Sequence, residues 1–204
     1  MSNIELTEDE KDCLQELMNV AYGSATAAIT EIFDAFAKLS IPTIKIIDAL
    51  HLKDYLAKEL NFNDEHFVAS QQINGPLSGE NMFIIDKKSA TNMSIKFGFN
   101  DDEILDEDIC DITLEITNIL SSSTISKLAE DIDTNVSFSA PTIKTINSIK
   151  ELNNLFISNY KKVIIISTKL EFGDLNIHGE LFILTTDNSI LFIKDKLNKI
   201  LDEL

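Results

Sequence analysis

The sequence predicts an α+β protein made of two pseudo-symmetric repeats that share an antiparallel sheet with helices packed on it, and three observations carry that reading. Asp12, Glu16, Asn19 and Pro42 recur as Asp111, Glu115, Asn118 and Pro141, every residue displaced by the same 99 positions. Such a register, kept while most intervening residues differ, marks a duplication constrained at those points. Within each copy, long stretches of helical period give way to β-branched runs that pair off around turn residues. Finally, no low-complexity linker interrupts the 204 residues, of which 44% are hydrophobic. Residues 1–204 are therefore expected to form one domain with a common core, repeat one spanning about 7–100 and repeat two about 101–204.

The first copy opens on a capping box, Thr7 with Glu10 three residues later, and an acidic first turn that complements the helix dipole. A helix should start near residue 8. Leu14, Leu17, Met18, Ala21, Ala25, Ala28, Ile29 and Ile32 keep helical period, so one long helix is expected to reach about Lys38. Gly23 falls inside it and is tolerated at a cost of roughly 1 kcal/mol against Ala. Pro42 marks the exit, because a proline drives the residue before it toward extended geometry, and Thr43–Ile47 then reads as a strand. Residues 48–61 suggest a short helix. His66–Ile73 and Leu77–Ile85 flank Asn74-Gly75-Pro76 as the arms of a hairpin. Gly79, inside the second arm, signals a bulge or a close approach of backbones. Asp86–Phe97 should be a helix with Ala90, Met93 and Phe97 inward.

The second copy begins with residues 101–111, seven of which are acidic. Their spacing lacks the central Gly and terminal Glu of an EF-hand, so they read as a solvated, dipole-compensating helix start. A helix over 108–131 leads to a strand over Val136–Ile146 that contains Pro141, and Ile149–Phe156 looks helical. Lys162–Glu171 and Leu175–Thr185 form a second hairpin about Gly173-Asp174, where Gly179-Glu180 echoes Gly79-Glu80. Residues 187–204 form the last helix. Antiparallel hairpins with helices gathered on one side give the α+β class.

On a helix, positions i, i+4 and i+7 share a face, so Asp12, Glu16 and Asn19 form one polar stripe opposite the apolar side, as do Asp111, Glu115 and Asn118. Glu and Asn on a helix are ordinarily a solvated face. Asn is also a poor helix former, and its presence at matching places in both copies, each with a proline at the same distance, needs a reason beyond propensity. Both stretches resemble the motif Asp/Ser-x3-Glu-x2-Asn-x22-Pro of the CheC, CheX and FliY family of phosphatases. The first copy continues into Gly23-Ser24-Ala25 as that family does, whereas the second has Ser122 in place of the glycine. Two complete motifs in one chain resemble two-site CheC more than single-site CheX.

This resemblance implies a phosphatase acting on the aspartyl phosphate of a CheY-like response-regulator receiver, in termination or adaptation of a chemotaxis signal. An acyl phosphate is labile, and the receiver is expected to supply its own Mg2+, so positioning is what remains for the phosphatase. The resemblance assigns Asn19 and Asn118 to orienting a water in line with phosphorus, and Glu16 and Glu115 to pairing with the receiver's lysine. Asp12, Pro42, Asp111 and Pro141 support the motif, Pro42 as a structural marker rather than a reacting group. Two rivals stand beside this reading: a non-catalytic adaptor that binds the deamidase CheD or a flagellar switch component, and a plain structural module with an inert stripe.

Composition narrows the field further. A net charge of −17 sets the chain against nucleic acid and anionic membrane. The N-terminus lacks the regions of a signal peptide, no apolar run approaches a membrane span, and a cytoplasmic location is expected. Cys13 and Cys110 have no CxxC or nearby His, and His51, His66 and His178 stand alone in sequence, so no metal or intrinsic cofactor is expected. Neither a Ser-His-Asp order, a phosphate-cradling glycine loop nor HExxH is present.

Overall fold

In the computed structural model, Thr7 closes the first turn of α1 (Glu8–Phe33) as the capping box requires: its hydroxyl accepts from the Glu10 N–H, and the Glu10 carboxylate accepts from the Thr7 N–H. The structure describes residues 5–60, 64–99, 104–148, 151, 161–172 and 175–203. α1 stops five residues short of the expected Lys38. Asp34 turns into the left-handed region at φ 46°, and Ala37–Leu39 leaves as β1, whose backbone pairs with a strand of the other copy instead of continuing the helical ladder. β2 (Thr43–Asp48) follows Pro42, then a short 3-10 turn and α2 (Leu52–Glu59). β3 (His66–Asn74) and β4 (Gly79–Asp86) form the hairpin, with Gly75 at φ 111°, and α3 (Lys87–Lys96) is capped by Asp86.

The second copy repeats this order with α4 (Asp106–Asp131), β5 (Ser137–Phe138), β6 (Thr142–Ile146), β7 (Lys162–Phe172), β8 (Ile177–Thr185) and α5 (Asp187–Asp202). The strand expected over Val136–Ile146 is two strands, because Pro141 has no N–H to give a ladder. The helix expected over 149–156 and the turn at 173–174 fall outside the described residues, apart from residue 151.

All eight strands join one antiparallel sheet in the order β1-β7-β8-β4-β3-β5, with β2 also on β7 and β6 also on β3. The first copy's β1 and β2 thus flank the second copy's hairpin, and β5 and β6 flank the first copy's. The order reads the same from either end once each strand is exchanged for its counterpart. At the centre β4 pairs with β8, Met82 opposite Phe182, with Gly79 opposite Thr185 and Gly179 opposite Ile85. A Cβ on Gly79 would collide with the Leu184 carbonyl, so this glycine marks a close backbone approach and not a bulge.

Strands that are apolar on both faces have to be covered on both. Phe83, Ile164, Ile166, Leu181 and Ile183 meet α1, α3, α4 and α5, while Met82, Ile84, Val163, Ile165 and Phe182 pack with Leu52 and Leu56 of α2. Helices therefore lie on both sides of the sheet, not on one as expected. Burying each such side chain is worth about 1.5–3 kcal/mol, so an uncovered second face would be costly.

Candidate functional site

α1 and α4 lie side by side on the larger face, and each turns its stripe outward. Asp12, Glu16 and Asn19 are exposed while Leu14, Met18, Ala21 and Ala25 are buried; Asp111, Glu115 and Asn118 are exposed while Ile112, Ile116 and Leu120 are buried. One assignment fails: Ile32, read as core-facing, is 48% exposed, and Tyr22 is buried in the core beside Ala25 and Ile29. α4 shows a blurred apolar pattern because hydroxyls share its inner side. Thr113 and Thr117 are buried and each donates 2.7 Å to the carbonyl four residues back, which satisfies the hydroxyl without a partner element.

Among the described residues, neither Glu16 nor Glu115 makes a hydrogen bond or ion pair. Two free carboxylates on adjacent helices leave the protein able to accept a cation from outside. Glu16 also rims a groove of about 400 Å³ between α1 and α5, with Asp9 and Asp12 at its edge and Leu17, Ile200 and Leu201 as its floor.

Buried Pro42 anchors a loop, its carbonyl accepting from Gln15 Nε2 at 2.7 Å. Pro141 is half-buried, and its loop is held two residues earlier. There Ser139 N–H donates to the Gln72 carbonyl, and Gln72 N–H donates to Ser139 Oγ. Gln71 Nε2 donates both to the Ser139 carbonyl at 2.8 Å and to Asn118 Oδ1 at 2.9 Å. Sequence reasoning missed Gln71, which no helical period could reveal because it sits on β3. Part of the signal was available: Ser40 and Ser139 stand two residues before Pro42 and Pro141, and Pro-Thr-Ile-Lys recurs at both places.

Cys13 lies on α1 beside Asp12, and Cys110 on α4 beside Asp111. Cys13 and Cys110 are free, and burial pushes both thiols up, helped at Cys110 by Asp106, Asp111 and Glu107, so neither is a ready thiolate. His66 and His178, isolated in sequence, both line a cavity of about 360 Å³, together with Lys169 and Glu180. Among the described residues, no three His, Cys, Asp or Glu side chains gather closely enough to hold a metal.

The site is thus an exchanged antiparallel sheet that carries two outward Glu-x2-Asn pairs on neighbouring helices. No family model matches the sequence. A curated relative, the flagellar motor switch phosphatase FliY of Bacillus subtilis (strain 168), is 19% identical over 180 residues, which cover 84% of this chain. The match covers 45% of the relative's length. Among solved structures, Thermotoga maritima FliY superposes with a TM-score of 0.75 at 22% identity, covering 95% of this chain and 98% of that one. The FliM middle domain from H. pylori follows at 0.59 and 15%, covering 94% and 99%. CheX from Desulfovibrio desulfuricans reaches 0.52 and 16%, covering 82% and 97%. The structures establish the shared fold, and the sequence similarity to FliY runs over most of this chain. No helix among the described residues is long and apolar enough to cross a membrane.

Proposed function

We propose that the chain is one CheC-like domain of two repeats that hydrolyses the aspartyl phosphate of a CheY-like receiver in the cytoplasm, at two sites. The observation that carries this is the matched presentation of Glu16 with Asn19 and Glu115 with Asn118, exposed on adjacent helices, with both carboxylates unpaired. Glu16 and Glu115 take the receiver's lysine, which fixes the dock. Asn19 and Asn118 then reach the phosphoryl group and hold a water in line. The oxygen of that water would bond to phosphorus as the P–O bond to the receiver's aspartate breaks, releasing inorganic phosphate and the free carboxylate, and a Mg2+ held by the receiver would offset the charge that develops. Since the asparagine acts on geometry reached in the transition state, it contributes to turnover more than to binding. That the Bacillus relative is a flagellar motor switch phosphatase supports this reading.

A second reading is favoured by a specific observation. The FliM middle domain shares the fold, and H. pylori FliM has been solved with FliG and with SpeE, so the fold also serves proteins that work within assemblies. An adaptor that binds CheD or a switch component would keep the surface and lose the asparagine's role. Phosphate release from a phosphorylated receiver, with and without the protein, tests the two: acceleration supports the phosphatase, and no acceleration with retained receiver or switch binding supports the adaptor.

A further inference from the structure

The two candidate sites are built from corresponding residues but are not supported alike. Ser139 N–H donates to the carbonyl of Gln72 on β3, and Ser40 N–H donates to the carbonyl of Lys169 on β7. Since Ser40 and Ser139 occupy equivalent places, so do Gln72 and Lys169, and therefore so do the residues before them, Gln71 and Thr168. Each sends its side chain to the serine carbonyl: Gln71 Nε2 to Ser139 at 2.8 Å, Thr168 Oγ1 to Ser40 at 2.5 Å. Here the likeness ends. A hydroxyl has one hydrogen, and in Thr168 it is used on Ser40. An amide has two, and Gln71 gives the second to Asn118 Oδ1 at 2.9 Å. Among the described residues, no group holds the side chain of Asn19.

This second bond fixes more than position. The Ser139 carbonyl can only accept, so the Gln71 atom facing it has to be the nitrogen, and the Asn118 atom facing that nitrogen has to be the oxygen. Gln71 is 2% exposed and sits on a paired strand, so it cannot follow a wandering partner. Its own Oε1 is buried without a partner, and flipping the amide would set that oxygen against the Ser139 carbonyl oxygen, so the two ends cannot exchange. Asn118 is thereby turned with Nδ2 and the second lone pair of Oδ1 free toward solvent, where a water has to be held.

We propose that Gln71 is a positioning residue that orients the Asn118 amide, and that the second site is consequently preorganised while the first, with Thr168 at the matching place, is not. The inference rests on the phosphatase reading for its effect on rate, but not for its effect on the amide. Fixing a group before the reaction lowers the barrier without adding a contact in the ground state. Asn118 should carry the larger share of turnover.

The test has two arms. Side-chain 15N relaxation of the parent should show the Asn118 amide ordered and the Asn19 amide mobile, with Q71M releasing Asn118. In an N19A background, where only the second site acts, Q71M should lower turnover about tenfold and leave receiver affinity unchanged. Q71T, which installs the first site's residue, should do the same and stands in if Q71M folds poorly. Equal mobility of the two amides, or unchanged turnover in folded N19A/Q71M and N19A/Q71T, overturns the proposal. A parent that does not dephosphorylate a receiver overturns the phosphatase reading instead, and the relaxation contrast still decides whether Gln71 orients Asn118.

Discussion

Gly79 lies against the carbonyl of Leu184 on the neighbouring strand, so close that a single added methyl would overlap it, and this contact is where the two copies meet. Gly79→Ala should therefore force the central strand pair apart and destabilise the protein by about 1–3 kcal/mol, the usual cost of overpacking. Gly23 is the contrast: a helical glycine with nothing within 4 Å of the Cβ position. Gly23→Ala should stabilise by roughly 1 kcal/mol through helix propensity. Urea denaturation of the two variants should shift the midpoint in opposite directions, and a shift in the same direction would show that backbone contact is not what distinguishes them.

Removal of a group that acts in the transition state typically costs about 3 kcal/mol, a factor of order a hundred in rate, with the larger loss expected at the preorganised Asn118. Asn19→Ala and Asn118→Ala should each abolish one site's share of phosphate release and leave the other's. The double variant should fall to the receiver's own decay. Asn19 is exposed and unbonded, so its variant should unfold within about 0.5 kcal/mol of the parent, whereas Asn118→Ala also removes the acceptor of a buried Gln71 bond and should cost about 1 kcal/mol. A folded double variant as active as the parent would exclude the asparagines from the chemistry.

The glutamates should act on binding. Glu16→Lys and Glu115→Lys place like charge against the receiver's lysine, and each should weaken receiver affinity at its own site in a manner that salt reduces. Calorimetric titration of a receiver into each variant at two ionic strengths measures this. Affinities that match the parent at low salt would remove the carboxylates from the dock.

Glu10 gives a pH signature. Burial pushes its carboxyl up, but hydrogen bonds from the Thr7 N–H, Lys194 and Asn198 together outweigh it and hold the group below the usual carboxylate range. Lys194 Nζ lies 3.2 Å from it. A carboxyl with a lowered folded value adds stability above its unfolded pKa of about 4.3 and loses it as pH falls through the folded value. Glu10→Gln, which weakens the capping box and removes this charge, should cost on the order of 1 kcal/mol at neutral pH. Thermal unfolding followed from neutral to acid pH should show the gap between variant and parent narrowing; a constant gap would mean that the charge is irrelevant.

The motif helices and hairpins were legible in the sequence for one reason: they depend on local period and on turn residues. Thr7 with Glu10, Asn74-Gly75 and Pro42 each act within a few residues of themselves, and each structure formed where its signal stood. What depended on partners was not legible. The helical period runs on past Phe33, yet Ala37 is taken by Phe172, more than a hundred residues away, and no local pattern records that pairing. The second sheet face was hidden similarly, since a run such as Val163–Ile166 is equally apolar whether one or both sides are covered. At the site, the outward faces of Glu16 and Asn19 followed from helix geometry. Gln71 did not, because its effect on Asn118 crosses from a strand to a helix.

The exchange of β1 and β2 for β5 and β6 bears on how such a chain came to be. A polypeptide of half this length would leave the outer edge of its hairpin bare and its own leading strands unmatched, an invitation to association. It could finish its sheet only with an identical copy, each lending strands to the other. Joining the two in one gene removes that dependence on concentration, and it also ends the rule that any substitution appears twice. From that moment Gln71 and Thr168 were free to differ, so a pair of twin sites could become a principal and an auxiliary without either helix changing its place.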